Sequence, residues 1–254
     1  MPRYVDMHMH AGFAPDPAAL AAELANAGIA SFANTVTPQE YACLSPTLAS
    51  APNMRLGLGL HPWWIGTPEL GSLDNALASF EHELATTRFV GEVGLDFWPS
   101  RAHTRDEQLE ALTRITQLCA AIGDVPISLH SVKAERELLD TLEDSGCLET
   151  CTCILHSYGG SSDQLARAVD DGCLFSIGRR MLTSKRGCEY ARILPDDRLL
   201  IESALPASDG ASLSAEELTT ELAWVIDELA YIRGVRAESL RDEINARGEA
   251  LLGL

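Results

Sequence analysis

The sequence predicts a single-domain α/β fold, a (β/α)8 TIM barrel spanning residues 1–254. Three observations predict it. Eight short apolar runs read as strands, and stretches with helical periodicity separate them. Four histidines and one glutamate stand at or near the C-terminal ends of the first, fourth, fifth and sixth runs. A parallel barrel gathers those ends on one face, where active sites sit. A doubly wound open sheet, the other fold for alternating strands and helices, would not readily bring these four ends to one point.

The first strand is Tyr4-Val5-Asp6-Met7-His8-Met9-His10, whose alternation puts His8 and His10 on one side. Pro17 to Ala27 is Ala/Leu-rich and closes at Gly28, as a helix C-terminus does. Ile29 to Thr35 is the second strand, with a helix from Pro38 to Ser50. Met54 to Leu60 is the third, followed by a helix from Glu69 to Thr86 with Leu73, Leu77, Phe80 and Leu84 at helical spacing. The fourth strand, Phe89-Val90-Gly91-Glu92-Val93-Gly94, leads to a helix from Thr104 to Ile122. Pro126 to His130 is the fifth, with Lys133 to Ser145 its helix. Cys153 to His156 is the sixth, backed by a helix from Ser162 to Asp171 that Gly172 closes. Cys173 to Ile177 makes the seventh, and a short helix precedes Pro195. Arg198 to Ser203 is the eighth, and two helices finish the chain, the first with Leu218, Leu222, Val225, Ile226 and Leu229 on one face.

Composition narrows the classes. With 46% hydrophobic and 22% charged residues the chain is an ordinary globular one. A formal net charge of −18 argues against a nucleic-acid-binding module built on a basic surface, and against anionic membranes as partners. It leaves a nuclease open, because ions in a pocket supply local positive charge. Seven irregularly spaced cysteines do not form a disulfide framework. Cys147, Cys151 and Cys153 suggest a thiolate site, but read better as buried small hydrophobes in a reducing compartment. No basic segment followed by an apolar core opens the chain, and the apolar stretch from Pro17 to Ala30 is too short to span a bilayer. The expectation is a cytoplasmic protein.

His8, His10, Glu92, His130 and His156 are the expected metal ligands, for one or two divalent ions such as zinc, manganese, magnesium or iron. Glu92 can bridge, with His8 and His10 on one ion and His130 and His156 on the other. Ions about 3.5–4 Å apart activate a water and stabilise a leaving oxygen, so the constellation predicts a metal-dependent hydrolase. His61 begins His61-Pro62-Trp63-Trp64 straight after the third strand and is expected near substrate. His82, in a helix, and His103, in a loop or helix start, read as solvated.

These residues resemble a known family, the TatD-like metal-dependent hydrolases of the amidohydrolase superfamily. Asp6-Met7-His8-Met9-His10 is similar to its opening Asp-x-His-x-His, and Gly59-Leu60-His61-Pro62 to its Gly-hydrophobic-His-Pro. Gly91-Glu92-Val93-Gly94-Leu95-Asp96 is the most specific match. Leu129-His130-Ser131 and Leu155-His156-Ser157-Tyr158-Gly159-Gly160 resemble its later His-Ser motifs, and Asn245 with Leu251-Leu252-Gly253 its C-terminal Asn and Leu-Phe-Gly. The resemblance implies hydrolysis of phosphodiester bonds in DNA, with single-stranded DNA or a small diester as substrate and no stable nucleic-acid complex. It also implies a bridging Glu92, and an Asp96 that faces substrate or supports a ligand.

One departure stands out. The family's eighth strand ends in Glu-Thr-Asp-x-Pro, whose Asp ligates metal and orients water. Here Glu202-Ser203-Ala204-Leu205-Pro206 puts Ala204 in that place. Glu202 and Asp209 are the candidate substitutes. The catalytic expectation therefore rests on Glu92, His130 and Glu202, and substrate contact on His61, Asp96 and Arg179 with its neighbour Arg180. The competing readings are an amide or ester hydrolase on the same barrel, and a metal-binding homologue that has lost catalysis through Ala204. Ala11-Gly12-Phe13 also departs, where the family has Leu-Asp.

Overall fold

A computed structural model describes residues 3–254. Eight parallel strands neighbour one another in chain order: β1 (Tyr4–Met9), β2 (Ile29–Asn34), β3 (Met54–Leu60), β4 (Val90–Asp96), β5 (Pro126–Val132), β6 (Thr152–His156), β7 (Leu174–Ile177) and β8 (Leu199–Ile201). Parallel neighbours need crossover connections, and helices supply them. They are α1 (Pro17–Asn26), α2 (Pro38–Leu48), α3 (Leu73–Leu84), α4 (Arg105–Ile122), α5 (Glu135–Asp144), α6 (Cys147–Thr150), α7 (Ser162–Asp170), α8 (Arg179–Leu182), α9 (Lys185–Ile193), α10 (Ala215–Arg233) and α11 (Ala237–Leu252). The predicted barrel is the observed one. No helix of the described residues is long and apolar enough to cross a membrane.

Local chemistry sets the element ends. Asp16, Thr37, Ser72, Ser161, Ser184 and Ser214 each accept a backbone N–H at a helix start, and Ser214 completes a capping box with Glu217. The Ser72 cap explains why α3 begins at Leu73 and not at Glu69. The apolar spacing was a sound guide to the helix, and the cap set its start. A second difference lies before β6. Cys147–Thr150 forms a separate turn of helix, and β6 starts at Thr152, one residue before the expected Cys153. Among the described residues, no cysteine belongs to a trio of donor atoms close enough to share an ion, so the thiolate reading has no site.

The barrel layers follow from strand alternation. Phe32, Ile154, Leu174 and Leu200 form part of one buried cluster. Each lies two residues before Asn34, His156, Ser176 or Glu202 on its own strand, which puts an apolar layer directly beneath the polar site. A larger core, including Leu77 and Phe80 of α3 and Leu218 and Leu222 of α10, packs helices against strands.

The seam between β8 and β1 closes through backbone and side chain together. Ala204 N–H donates to His8 O (2.9 Å). The fully buried Asp6 carboxylate accepts from Ser203 N (3.0 Å), Ser203 Oγ (2.5 Å) and His8 N (3.1 Å). Asn245 fastens α11 to the same strand, accepting from Val5 N (3.0 Å) and donating to Arg3 O (3.1 Å). Asp6→Ala would strand three buried donors at about 1–3 kcal/mol each, so a loss of roughly 3 kcal/mol or more is expected. A urea titration reads it as a lowered midpoint, while Asp6→Asn, which keeps one acceptor oxygen, falls between the two.

Candidate metal centre

Two glycines let β4 deliver Glu92. Gly94 has φ +144°, and a Cβ there would lie 2.0 Å from His130 O. At Gly91 a Cβ would meet Asn34 Oδ1 at 2.0 Å. Their absence of side chains brings β2, β4 and β5 close enough for one carboxylate to reach every surrounding ring.

Glu92 is 2% exposed and central. Oε1 lies 2.7 Å from His130 Nδ1, 3.1 Å from His61 Nε2 and 3.4 Å from His156 Nε2. Oε2 lies 3.3 Å from His8 Nε2 and 3.4 Å from His10 Nε2. His8 and His10, predicted to share a side, bring their Nε2 atoms to 3.2 Å, although the β1–β2 register shifts between Asp6 and Met9. All five expected ligands therefore meet. Their donor atoms fall into overlapping groups: His8, His10 and Glu92; His8, His156 and Glu202; and His61, Glu92 and His130.

The far ring nitrogens decide which lone pairs are free. His10 Nδ1 faces Asn34 O (3.3 Å) and His156 Nδ1 faces the Glu202 carboxylate (3.2 Å), both pure acceptors. Each Nδ1 therefore carries the proton and leaves Nε2 bare for a cation. His8 Nδ1 rests 2.8 Å from Ser128 Oγ. His61 is the reverse: its Nδ1 accepts Trp63 N–H (3.1 Å), so its neutral ring presents Nε2–H to Glu92. That makes His61 a donor and not a ligand, despite its place in the third group.

Burial holds His8, His10 and His61 below the usual imidazole range, and His10 falls to about 3. Burial opposes ionisation of Glu92, but the surrounding histidines outweigh it and keep the carboxyl well below its usual value. Burial also opposes charge on His130, yet hydrogen bonds to Asp96 and Glu92 raise it to about 9. Asp96 falls to about 2, because its bonds to His130 and Trp63 overcome burial. Burial opposes charge on His156 too, but Glu202 and Glu92 overcome it and raise that ring as well. Neutral His8 and His10 beside an ionised Glu92 are a donor set a borderline divalent cation takes, and such an ion would have to displace a proton to use His130 or His156.

Glu202 sits behind His156, 1% exposed and bonded to Ser176 Oγ, and does not face the cavity. Asp96 accepts Trp63 Nε1–H (2.5 Å) and lies 3.4 Å from His130 Nε2. Arg179, expected at substrate, turns away: its guanidinium pairs with Glu221 (2.6 Å) and lies 3.8 Å from the centre of the Trp224 ring. Arg180 lines the cleft in its place. Asp209 is absent from the residues lining it. Ala204 does line it, at φ +56°. His82 lies on α3 and His103 in a short turn, both outside the centre. Sequence reasoning missed Ser128 and Ser176, which strand alternation from His130 and Glu202's neighbour strand could have exposed. It also missed Trp63 as a partner of Asp96, for which no pattern exists.

A model of the family described as TatD related DNase matches residues 5–253. The human protein named deoxyribonuclease TATDN3 is 29% identical over 196 residues, covering 72% of this chain and 68% of that one. Mouse TATDN3 is 29% identical over 194 residues, covering 73% of this chain, which spans only 64% of the mouse protein's length. Among solved structures, the TatD homologue YJJV from Escherichia coli superposes with a TM-score of 0.75 at 23% identity, over 99% of this chain and 98% of that one. The last of these supports the barrel alone.

The Asp96–His130 pair makes a pH-dependent contribution to the metal-free protein. His130 is raised, so its contribution is complete below about 6.5 and disappears as pH rises through about 9. The gap in thermal midpoint between wild type and Asp96→Asn should therefore narrow between pH 6.5 and 9. A gap that is constant or widens there contradicts the pairing.

Proposed function

The chain belongs to the TatD related DNase family, and from that premise we propose that it is a metal-dependent phosphodiester hydrolase acting on single-stranded DNA or small diesters. The observation that carries the proposal is the convergence of His8, His10, His130 and His156 on one buried carboxylate, Glu92. The human relative's name, a deoxyribonuclease, supports the choice of bond.

Divalent ions bound there would supply charge neutralisation at phosphoryl oxygens and a more acidic water. The chain's own residues do the rest. His8, His10 and Glu92 would hold one ion; His130 and His156 with Glu92 would hold the other once His130 gives up the proton it keeps for Asp96 and Glu92. Glu202 positions His156: its carboxylate fixes the Nδ1–H tautomer and the ring angle. His61 holds an Nε2–H toward the centre, suited to an anionic oxygen, and Arg180 offers a guanidinium at the same edge. Phe13, Val36 and Pro206 limit water on the other side. The seven cysteines are free, which suits a reducing cytoplasm as the place of action.

Ala204 leaves the strand-eight end without a ligand, and the site is correspondingly short of one carboxylate. Its left-handed backbone is one that Asp accepts more readily than Ala, so Ala204→Asp should fold. Calorimetric titration with zinc or manganese should show tighter binding in Ala204→Asp. Glu202→Gln should bind about 10–100-fold more weakly. Hydrolysis of bis(p-nitrophenyl) phosphate and of a single-stranded oligonucleotide should vanish with chelator and in His130→Ala. Stoichiometric metal without turnover of either diester would sink the proposal.

A further inference from the structure

The metal centre opens into one cavity and borders a second. The first, of about 470 Å³, has His10, His61 and Glu92 in its lining, an apolar wall that includes Phe13, Trp63 and Trp64, and Arg101. The other, of about 490 Å³, carries Lys133, Arg180, Arg186 and Trp98, and Glu135 is the one carboxylate lining it. His130, His156 and Arg180 border both. Each has the size of a small-ligand pocket.

Resting on the phosphodiester reading above, we infer that the two cavities are consecutive nucleotide subsites. A nucleoside occupies the first cavity, against its apolar wall at Trp63. The adjoining nucleotide occupies the basic cavity, with its base on Trp98 and its phosphate between Lys133 and Arg186. The phosphate linking the two then lies over His130 and His156.

Three observations carry this. Trp63 and Trp98 remain 47% and 52% exposed at the mouth, large aromatic faces that a folded chain normally covers or uses. A single carboxylate ties both residues: Asp96 accepts the Trp63 indole Nε1–H (2.5 Å) through Oδ2 and the Trp98 backbone N–H (2.8 Å) through Oδ1. The Trp63 ring, 6.0 Å from the His130 ring, and the Trp98 backbone are thus held by the carboxylate that also touches His130. Finally, in a chain of net charge −18, Lys133, Arg180 and Arg186 form no ion pair among the described residues. Arg186 donates to Gly159 O and Gly160 O (both 3.2 Å), and Lys133 Nζ rests 4.1 Å from the centre of the Trp98 ring. An incoming phosphate would draw that ammonium off the indole and free the face for a base.

The test is calorimetric binding of a 5′-phosphorylated thymidine dinucleotide, with a non-hydrolysable methylene phosphonate link, to the full metal-loaded chain. Trp98→Ala should weaken binding about tenfold, and Trp98→Phe, which keeps an aromatic face, much less. Lys133→Ala should weaken binding and flatten the slope of log affinity against log salt by about 0.7. Wild-type affinity in both Trp98→Ala and Lys133→Ala, or no binding by wild type at millimolar dinucleotide, overturns the inference. Turnover of bis(p-nitrophenyl) phosphate by wild type separates this from the reading beneath it. Turnover with unaffected dinucleotide binding in the variants fails the subsites alone, whereas a chain inert toward every diester fails the hydrolase.

Discussion

The structure is organised around the burial of one anion. An ionised carboxylate removed from water is costly unless partners surround it, and Glu92 is 2% exposed. Five imidazoles within 3.4 Å meet that requirement. They come from β1, β5, β6 and the loops after β1 and β3, so the barrel must close for Glu92 to be tolerated at all. The glycines flanking it, the Asp6–Ser203 seam and the apolar layer under it all serve that geometry. Yet the rings exceed what one carboxylate can satisfy. His10, pulled down to about 3, cannot be the cation that balances Glu92 at neutral pH. Its anchored ring, with a bare Nε2, is poised for a different positive charge.

The surrounding charge pattern extends this logic. A chain of net charge −18 repels a polyanion at long range. The barrel mouth answers locally, with Arg101, Lys133, Arg180 and Arg186 gathered at the two cavities and acids such as Asp140, Glu143 and Asp171 spent on Arg167 elsewhere. Such attraction acts within a screening length of about 8 Å.

How far the sequence speaks depends on the range of the interaction. Strand alternation is local, so the eight strands, the pairing of His8 with His10 and the inward places of Glu92, His130 and His156 were legible from residues alone. Arg179 and Arg180 were not separable. They open α8, where neighbours diverge by about 100°, so one meets Glu221 and Trp224 while the other meets the cleft. Helix phase at a loop exit is set by packing that no periodicity encodes. Glu202 shows the same limit: its face was readable, but whether it points at an ion or props His156 depends on Ser176 of the adjacent strand.

His61 carries the argument one step further, because its role turns on a single proton. A histidine in this position looks like a ligand by distance, with Nε2 3.1 Å from Glu92. The turn formed by Pro62 and Trp63 aims Trp63 N–H at Nδ1, and a neutral imidazole has only one other nitrogen on which to keep its hydrogen. A ring so fixed cannot give a lone pair to a cation without losing either that backbone bond or its proton. The loop after β3 therefore converts a would-be ligand into a hydrogen-bond donor facing the same centre. A cation takes the one kind of imidazole and an oxyanion the other, and this barrel makes the distinction with one backbone amide.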